Sequence, residues 1–345
     1  MPSSTENLMT NDSNVASDDE AIRNCPDDKL EDFVIDLCQK NTAKYPSGKS
    51  QGTRISQGYV LRDVRIGMIY LSDVKAAIDL ARNLGIRAPT MERLIKTPKW
   101  WTAVYTYIPG ESLESLLPRI SEQETIRLAF QLRDMLRIMQ QKSNDFVGSI
   151  HRLRFDPGHH FLEDDPCGLP MGSATTRDLA RVVNFWHNHN WYEWIHRGYA
   201  RSWEEEDMAC SNGPLPENLP LVFTHGNLVP RNIIRDENGD IWIVGWDHAG
   251  WYPACFERCG MRWPRGLLRR TKNPQHLPRM EYLWGIFCSV ATDNQWEEEA
   301  QIIHEASVNG FRSSSARDIS ASLGVTKSRR LFYPPRGHRT NRRPV

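Results

Sequence analysis

The 345-residue sequence has no long hydrophobic run, and nothing in it approaches the roughly 18 consecutive apolar residues of a membrane-spanning helix. We therefore expect no membrane span. Residues 1–19 also lack a basic stretch followed by an apolar one, so they do not read as a secretory signal. The seven cysteines are scattered and odd in number. These features favour a reduced, intracellular setting, and we expect a cytoplasmic protein.

The sequence also lacks the ligand spacing of a structural zinc site. His187, His189 and His196 lie close together, and Cys255 precedes Cys259 by one helical turn. No segment, however, has the paired cysteine or histidine spacing that zinc modules use. We therefore expect no zinc site.

The net charge is zero, but the two ends carry opposite charge. Residues 1–32 contain nine acidic and two basic residues, whereas residues 311–345 contain nine basic residues and one acidic residue. Both ends are polar, so we predict disordered segments over residues 1–32 and 306–345, of which residues 1–28 and 312–345 are dispensable for folding. A basic tail can also bind nucleic acid or direct nuclear import. Because charge runs alone specify little, solvated ends are favoured over a nucleic-acid partner.

Two segments carry most of the functional information. Residues 224–234 read THGNLVPRNII, and residues 241–253 read IWIVGWDHAGWYP. The pair resembles the active site of the aminoglycoside phosphotransferase family of kinase-like enzymes, whose members read HGDxxxxN and then an apolar strand that ends in IDW. Asn232 matches this pattern, but Asn227 and Gly245 stand where the two aspartates would be.

The resemblance implies a role for each of these positions. In phosphoryl transfer one aspartate accepts the proton of the substrate hydroxyl, the asparagine helps to hold magnesium, and a second aspartate joins magnesium to the phosphates. Asn227 can orient a hydroxyl but cannot take its proton, and Gly245 offers magnesium no side-chain oxygen. By the same resemblance, His225 orients the loop through hydrogen bonds. Asn232 and Asp247 are the remaining candidate metal ligands.

Asp247 has two interpretations. Residues two apart on an extended segment share a face, so a shifted strand end could bring the Asp247 carboxylate to the metal position of Gly245. Such a shift covers about 6 to 7 Å. The distance favours the second interpretation, in which Asp247 lies on the adjacent turn.

The resemblance extends over about residues 55–300. Residues 105–113, YTYIPGESL, resemble the hinge between a small and a large lobe, which implies nucleotide contacts at Tyr107 and Ile108. Residues 250–257, GWYPACFE, resemble the segment that closes the floor of the active site.

The implied fold is α+β, two-lobed and protein-kinase-like. A small lobe with an antiparallel sheet and one helix is expected over residues 33–107, and a mostly helical large lobe over residues 108–305. Residues 121–124, SEQE, form a capping box that predicts the start of a core helix in the large lobe.

The small lobe departs most from the family pattern. These enzymes carry a lysine that pairs with the nucleotide phosphates and with a glutamate on the next helix. Arg62 and Arg65 are the best replacements for the lysine, and Asp73 could replace the glutamate or act as a helix cap. Residues 43–50, AKYPSGKS, fit a loose phosphate-loop pattern. Their context predicts a turn instead, because no buried strand precedes them.

Three functions follow from these observations. The leading one is a divergent family member with impaired or absent phosphoryl transfer, a pseudoenzyme that binds a nucleotide or another small molecule. The alternative is an active kinase that uses ATP and magnesium on a small-molecule hydroxyl, with Asn227 as the positioning residue and Asp247 as the metal ligand. The third is a scaffold that acts through its charged ends. The acceptor side, residues 145–220, contains no readable motif, and its acidic run at residues 163–165 is typical of a solvated loop.

Overall fold

The structure is a computed structural model that describes residues 12–41, 44–45, 52–64, 71–96, 101–151, 153, 170, 172–188, 213–262, 274–292 and 294–308. Several predicted features lie outside these residues: the phosphate-loop-like segment apart from Lys44 and Tyr45, Arg65, the acidic run at residues 163–165, His189, His196, and the basic end from residue 309 onward.

The first part of the chain forms a four-stranded antiparallel sheet with three helices. In chain order the elements are α1 (Asp12–Asn24), α2 (Asp27–Asn41), β1 (Thr53–Arg54), β2 (Tyr59–Val64), α3 (Leu71–Asn83), β3 (Met91–Lys96) and β4 (Trp101–Thr106). The strand order is β1-β2-β4-β3, and every neighbouring pair is antiparallel. This is the small lobe that the resemblance implied.

The two faces of this sheet belong to different hydrophobic cores, because successive side chains on a strand point to opposite faces. Val60, Ala103 and Tyr105 join the core that contains α3 and the large lobe. Tyr59 and Val104 point the other way and pack with α1 and α2. Both faces of the sheet are therefore covered.

The N-terminal helices correct the predicted disorder of residues 1–32, which is wrong for residues 12–32. An apolar stripe on the helices docks on the outer face of the sheet, and its buried members are Ile22, Leu30, Val34 and Leu37. In α2 these residues are spaced by four and three positions, which places them on one helix face. The exposed positions between them include the acidic residues Asp27, Asp28 and Asp32, and composition alone did not reveal the stripe.

Arg93 on β3 holds the corner between α1 and α2. Its guanidinium donates hydrogen bonds to the backbone oxygens of Ile22 at 3.1 Å and Arg23 at 2.8 Å. It also donates to the backbone oxygen of Cys25 at 2.8 Å and pairs with Asp27 at 2.5 Å. The last carbonyls of a helix have no partner within the helix. Arg93 supplies that partner, and its charge suits the negative end of the helix dipole.

The large lobe is mostly helical and also contains two small sheets. Its elements are β5 (Glu111–Ser112), α4 (Leu113–Leu116), α5 (Glu122–Gln140), β6 (Ser143–Asn144), β7 (Gly148–Ser149), α6 (Thr176–Asn188), β8 (Leu221–Thr224), β9 (Ile233–Arg235), β10 (Ile241–Ile243), β11 (Gly250–Pro253), α7 (Ala254–Arg262), α8 (Leu277–Ala291) and a last helical segment, residues 297–308. The strand orders are β10-β9-β5 and β6-β8-β11-β7.

Helix α5 begins where the capping box predicts. The Ser121 hydroxyl accepts a hydrogen bond from the backbone N–H of Glu124 at 3.1 Å. Leu128, Leu132 and other buried residues of α5 belong to the core that α8 shares. The two-lobed α+β arrangement is therefore confirmed. No helix in the described part of the chain combines the length and apolar character that crossing a bilayer requires.

The Arg93 contacts generate a stability prediction. We expect Arg93→Ala to lower the free energy of unfolding by about 1–3 kcal/mol, because three backbone carbonyls and one carboxylate lose their donor. Arg119→Ala is the matched control, since its ion pair with Glu111 is 57% and 48% exposed. The control should change stability by no more than about 0.5 kcal/mol. Urea unfolding measures both variants, and equal effects would contradict the role of Arg93.

Candidate functional site

The loop that carries the HGN motif, residues 225–227, follows a fully buried strand. All four residues of β8 are buried, and β8 lies between β6 and β11 in its sheet. The chain then turns at Gly226, whose φ of 72° lies in the left-handed region that glycine adopts without strain. An interior strand therefore sets the position of the loop.

Glu257 on α7 anchors this loop. Its carboxylate accepts hydrogen bonds from the backbone N–H of His225 at 2.6 Å and of Gly226 at 3.2 Å. Glu257 is 2% exposed. Burial raises the pKa of Glu257 to about 7, and the two backbone hydrogen bonds oppose this rise. Sequence reasoning missed Glu257 as a site residue, and its only signal was its place in the segment of residues 250–257.

His225 is fully buried in the same region. Burial lowers the pKa of His225 to about 3, so the imidazole is neutral at physiological pH. Its Nδ1 accepts a hydrogen bond from the backbone N–H of Asn227 at 3.2 Å, which places the ring proton on Nε2. The ring meets Trp246 edge-on, with 4.6 Å between the ring centroids. The His225 ring thus helps to set the shape of the loop by accepting a hydrogen bond from the backbone of Asn227.

Asn227, Asn232 and Gly245 lie side by side. The Asn232 side-chain Nδ2 donates a hydrogen bond to the backbone oxygen of Asn227 at 2.8 Å. Gly245 has a φ of 85°, and a Cβ at this position would lie 2.8 Å from Asn232 Nδ2. The three positions that the family motif relates in sequence are therefore neighbours in space. Neither Asn227 nor Gly245 brings a carboxylate to the group.

Two further candidates, Arg62 and Asp247, bind each other. Asp247 lies in the 3₁₀ turn Trp246–His248, and its Oδ2 forms an ion pair with Nη2 of Arg62 on β2. The Arg62 side chain is 29% exposed and the Asp247 side chain is 9% exposed. This ion pair joins the small lobe to the large lobe.

Asp73 in the first turn of α3 makes a different contact. It is 4% exposed, and its Oδ1 accepts a hydrogen bond from the backbone N–H of His151 at 2.8 Å. This contact ties α3 to the chain that follows β7. The ion pair of the small-lobe cation Arg62 is instead with Asp247.

A small cavity, partly open to solvent, lies beside the ion pair. Its walls include Val60, Ile78, Tyr105 and Trp246, and it reaches Thr106 at the end of β4. The predicted nucleotide contacts at the hinge lie elsewhere. The Tyr107 ring packs under the Arg54 guanidinium, 3.8 Å from its centroid, and Ile108 packs with Ile234 and Val244.

The side chains at the site do not fit magnesium. This ion demands oxygen ligands in near-octahedral geometry. Gly245 has no side-chain oxygen, Asn232 donates its amide nitrogen to the loop backbone and so offers only Oδ1, and Oδ2 of Asp247 is engaged by Arg62. Within the described residues, no group of three or more His, Cys, Asp or Glu side chains could hold a metal ion.

Comparison with known families decides the classification. Residues 48–258, more than half of the chain, match the model of the phosphotransferase enzyme family, APH. The chain belongs to this family. Among curated proteins, none matches the sequence.

Solved structures similar to this family member include two kinases of small molecules. The aminoglycoside phosphotransferase APH(3'')-Id from Streptomyces rimosus, in complex with ADP and streptomycin, is 11% identical with a TM-score of 0.40, and the match covers 81% of this chain and 98% of that chain. The choline kinase LicA from Streptococcus pneumoniae is 13% identical with a TM-score of 0.39, and the match covers 79% of this chain and 85% of that chain.

The buried anchor of this family member generates a pH prediction. The folded-state pKa of Glu257 is raised from 4.5 to about 7, so the folded state binds the proton more tightly than the unfolded state does. Its contribution to stability is therefore fully present below about pH 4.5 and is lost as the pH rises to about 7. We expect Glu257→Gln to flatten the fall in melting temperature between pH 5 and pH 8. The exposed Glu298→Gln should keep the wild-type slope, and an unchanged slope in Glu257→Gln would contradict the prediction.

Proposed function

We propose that this family member binds a nucleotide or another small molecule in its cleft and that its phosphoryl transfer is impaired or lost. One observation carries the proposal: Asn227 and Gly245 hold the positions at which the reaction uses carboxylates, and the nearby Asp247 carboxylate is paired with Arg62. Phosphoryl transfer depends on positioning and on electrostatic stabilisation by metal and cations. A site without these groups can still bind a ligand in the cleft, but it lacks the groups that stabilise the transition state of phosphoryl transfer.

The missing base has a calculable consequence. A positioned general base typically contributes about 10²- to 10⁴-fold to the rate, which corresponds to roughly 3 to 5 kcal/mol of barrier. The amide of Asn227 can accept a hydrogen bond from a substrate hydroxyl, but it has no basic lone pair that can take the proton. The loss of the metal carboxylate at Gly245 adds to this deficit.

The cleft itself supports the binding half of the proposal. Small-molecule pockets are lined by apolar and aromatic side chains with a few polar groups. The cavity has this character, since Val60, Ile78 and Trp246 line it beside the Arg62–Asp247 pair. Because magnesium does not fit the site, we expect ligand binding that changes little when magnesium is chelated.

The alternative function is an active kinase that uses ATP and magnesium on a small-molecule hydroxyl. One observation favours it: Asp247 Oδ1 has no hydrogen-bond partner among the described residues. If the ion pair with Arg62 opened, Asp247 could present its carboxylate to a cation. Asn227 would then act only as a positioning residue for the acceptor.

A restoration experiment tests the proposal. We expect Asn227→Asp combined with Gly245→Asp to raise magnesium-dependent ATP hydrolysis at least about 100-fold above wild type, with each single variant below about 10-fold, because base and metal act in one transition state. Aspartate tolerates the left-handed conformation at position 245 better than most residues do. Its Cβ still requires a small shift of the Asn232 side chain, so the melting temperature is checked first.

The matched control for this experiment is Asn227→Asp combined with Gly245→Asn. This control places a side chain of the same shape at the same left-handed position but adds no charge there. Equal activity of the two double variants would contradict the missing-carboxylate explanation. Wild-type turnover at an ordinary kinase rate, roughly 1 to 100 per second, would instead establish the alternative function.

A further inference from the structure

Helices α1 and α2 lie before the part of the chain that matches the family. The match covers residues 48–258, whereas the two helices lie within residues 12–41. They nevertheless bury an apolar stripe against the outer face of the small-lobe sheet. Burial of this stripe holds the helices in a fixed position, so their polar contacts can act on the segments beside them.

Both helices bind the turn that joins β1 to β2, residues 55–58. From α1, Oδ1 of Asp19 accepts a hydrogen bond from the backbone N–H of Gly58 at 3.2 Å. From the end of α2, the side-chain Nδ2 of Asn41 donates to the backbone oxygen of Ile55 at 2.7 Å, and Asn41 is 8% exposed. The two ends of the turn are therefore each bonded to a different helix.

The close approach of α1 to this turn depends on glycine at position 58. A Cβ on Gly58 would lie 2.6 Å from Oδ2 of Asp19, which is shorter than any normal contact of a side chain. The obstructing atom is at the end of a flexible side chain, so a larger residue would displace the Asp19 carboxylate and break its hydrogen bond. The contact can thus be broken by a substitution on either side.

The same turn is bonded to the hinge. The backbone oxygen of Gly58 accepts a hydrogen bond from the backbone N–H of Tyr107 at 2.7 Å. Arg54 makes a second connection, since it donates to the backbone oxygens of Ser56 at 3.1 Å and Gln57 at 2.9 Å. Its guanidinium also lies 3.8 Å from the centroid of the Tyr107 ring, at a distance that gives a cation–π contact. Tyr107 is therefore held by its backbone and by its ring.

The next hinge residue packs against the candidate site. Ile108 is 5% exposed and packs with Ile234 and Val244. The backbone N–H of Val244 donates to the backbone oxygen of Asn232 at 2.9 Å. The hinge is thus packed directly on the segment that carries the site.

We propose that α1 and α2 form an N-terminal brace, residues 12–41, that fixes the conformation of the hinge through the turn at residues 55–58. While the contact between Asp19 and Gly58 is closed, the hinge is held in one arrangement. When the contact opens, the hinge gains access to a locally open state. This inference goes beyond the proposed function, because it concerns the free protein and holds whether or not the cleft binds a ligand.

Hydrogen exchange followed by mass spectrometry on the full chain tests the N-terminal brace. We expect Asp19→Ala to speed exchange of the hinge amides, residues 107–108, at least about 5-fold, because losing a hydrogen bond to a charged acceptor shifts a local opening equilibrium by that order. Glu20→Ala removes the same charge at the next, exposed position of α1 and should change hinge exchange by less than about 2-fold.

A second control separates local opening of the hinge from a general loss of stability. Ser121→Ala removes the cap of α5, which lies far from the hinge contacts in sequence and destabilises the fold by itself. Because the cap stays intact when the hinge opens locally, this variant should change hinge exchange by less than about 2-fold. If Ser121→Ala speeds hinge exchange as much as Asp19→Ala does, the hinge opens only by global unfolding and the inference is overturned.

A double-mutant cycle tests the contact itself. Gly58→Ala should speed hinge exchange as Asp19→Ala does, since its Cβ displaces the carboxylate. Added to Asp19→Ala, it should contribute less than about 2-fold more, because the bond and the obstructing side chain are already gone and residues in contact are non-additive. Effects that multiply in the double variant would show that the two residues act independently, which would overturn the N-terminal brace.

Discussion

The ion pair between Arg62 on β2 and Asp247 in the turn after β10 joins the two lobes, and the chemistry of the cleft depends on it. It engages one oxygen of the Asp247 carboxylate and offsets the charge of Arg62. A mostly buried ion pair contributes little net stability when it is intact, but removing one partner leaves a costly buried charge. The pair is therefore better understood as a constraint on what the cleft accepts than as a source of stability.

The part of the site that the sequence predicts is the part with short sequence separation. Asn227, Asn232 and Gly245 lie within 18 positions of one another, and the structure places them side by side. Arg62 and Asp247 are 185 positions apart, and both were candidates, but no periodicity could show that they bind each other. Long-range pairing depends on how two lobes dock, which local patterns do not encode.

The fold shows the same division between local and long-range information. The capping box at Ser121 predicts the start of α5, because a cap is a local interaction. The acidic N-terminal segment was misjudged, because its composition suggested that too little apolar surface was available. A few buried residues such as Leu30 and Val34 suffice once the outer face of a sheet is available to receive them.

These helices also reach the hinge: Asp19 accepts a hydrogen bond from Gly58 N–H at 3.2 Å, and Gly58 accepts one from Tyr107 N–H at 2.7 Å.

The left-handed backbone at Gly245 has an evolutionary consequence. With a φ of 85°, this position suits glycine, asparagine and aspartate and disfavours most other residues. The backbone thus keeps a shape that aspartate tolerates, and the atoms nearest to a Cβ at this position belong to the side chain of Asn232. Descendants of this chain could regain acidic residues at both positions without remodelling the main chain. Two amino-acid substitutions, one at Asn227 and one at Gly245, therefore separate this chain from the acidic residues of the family pattern.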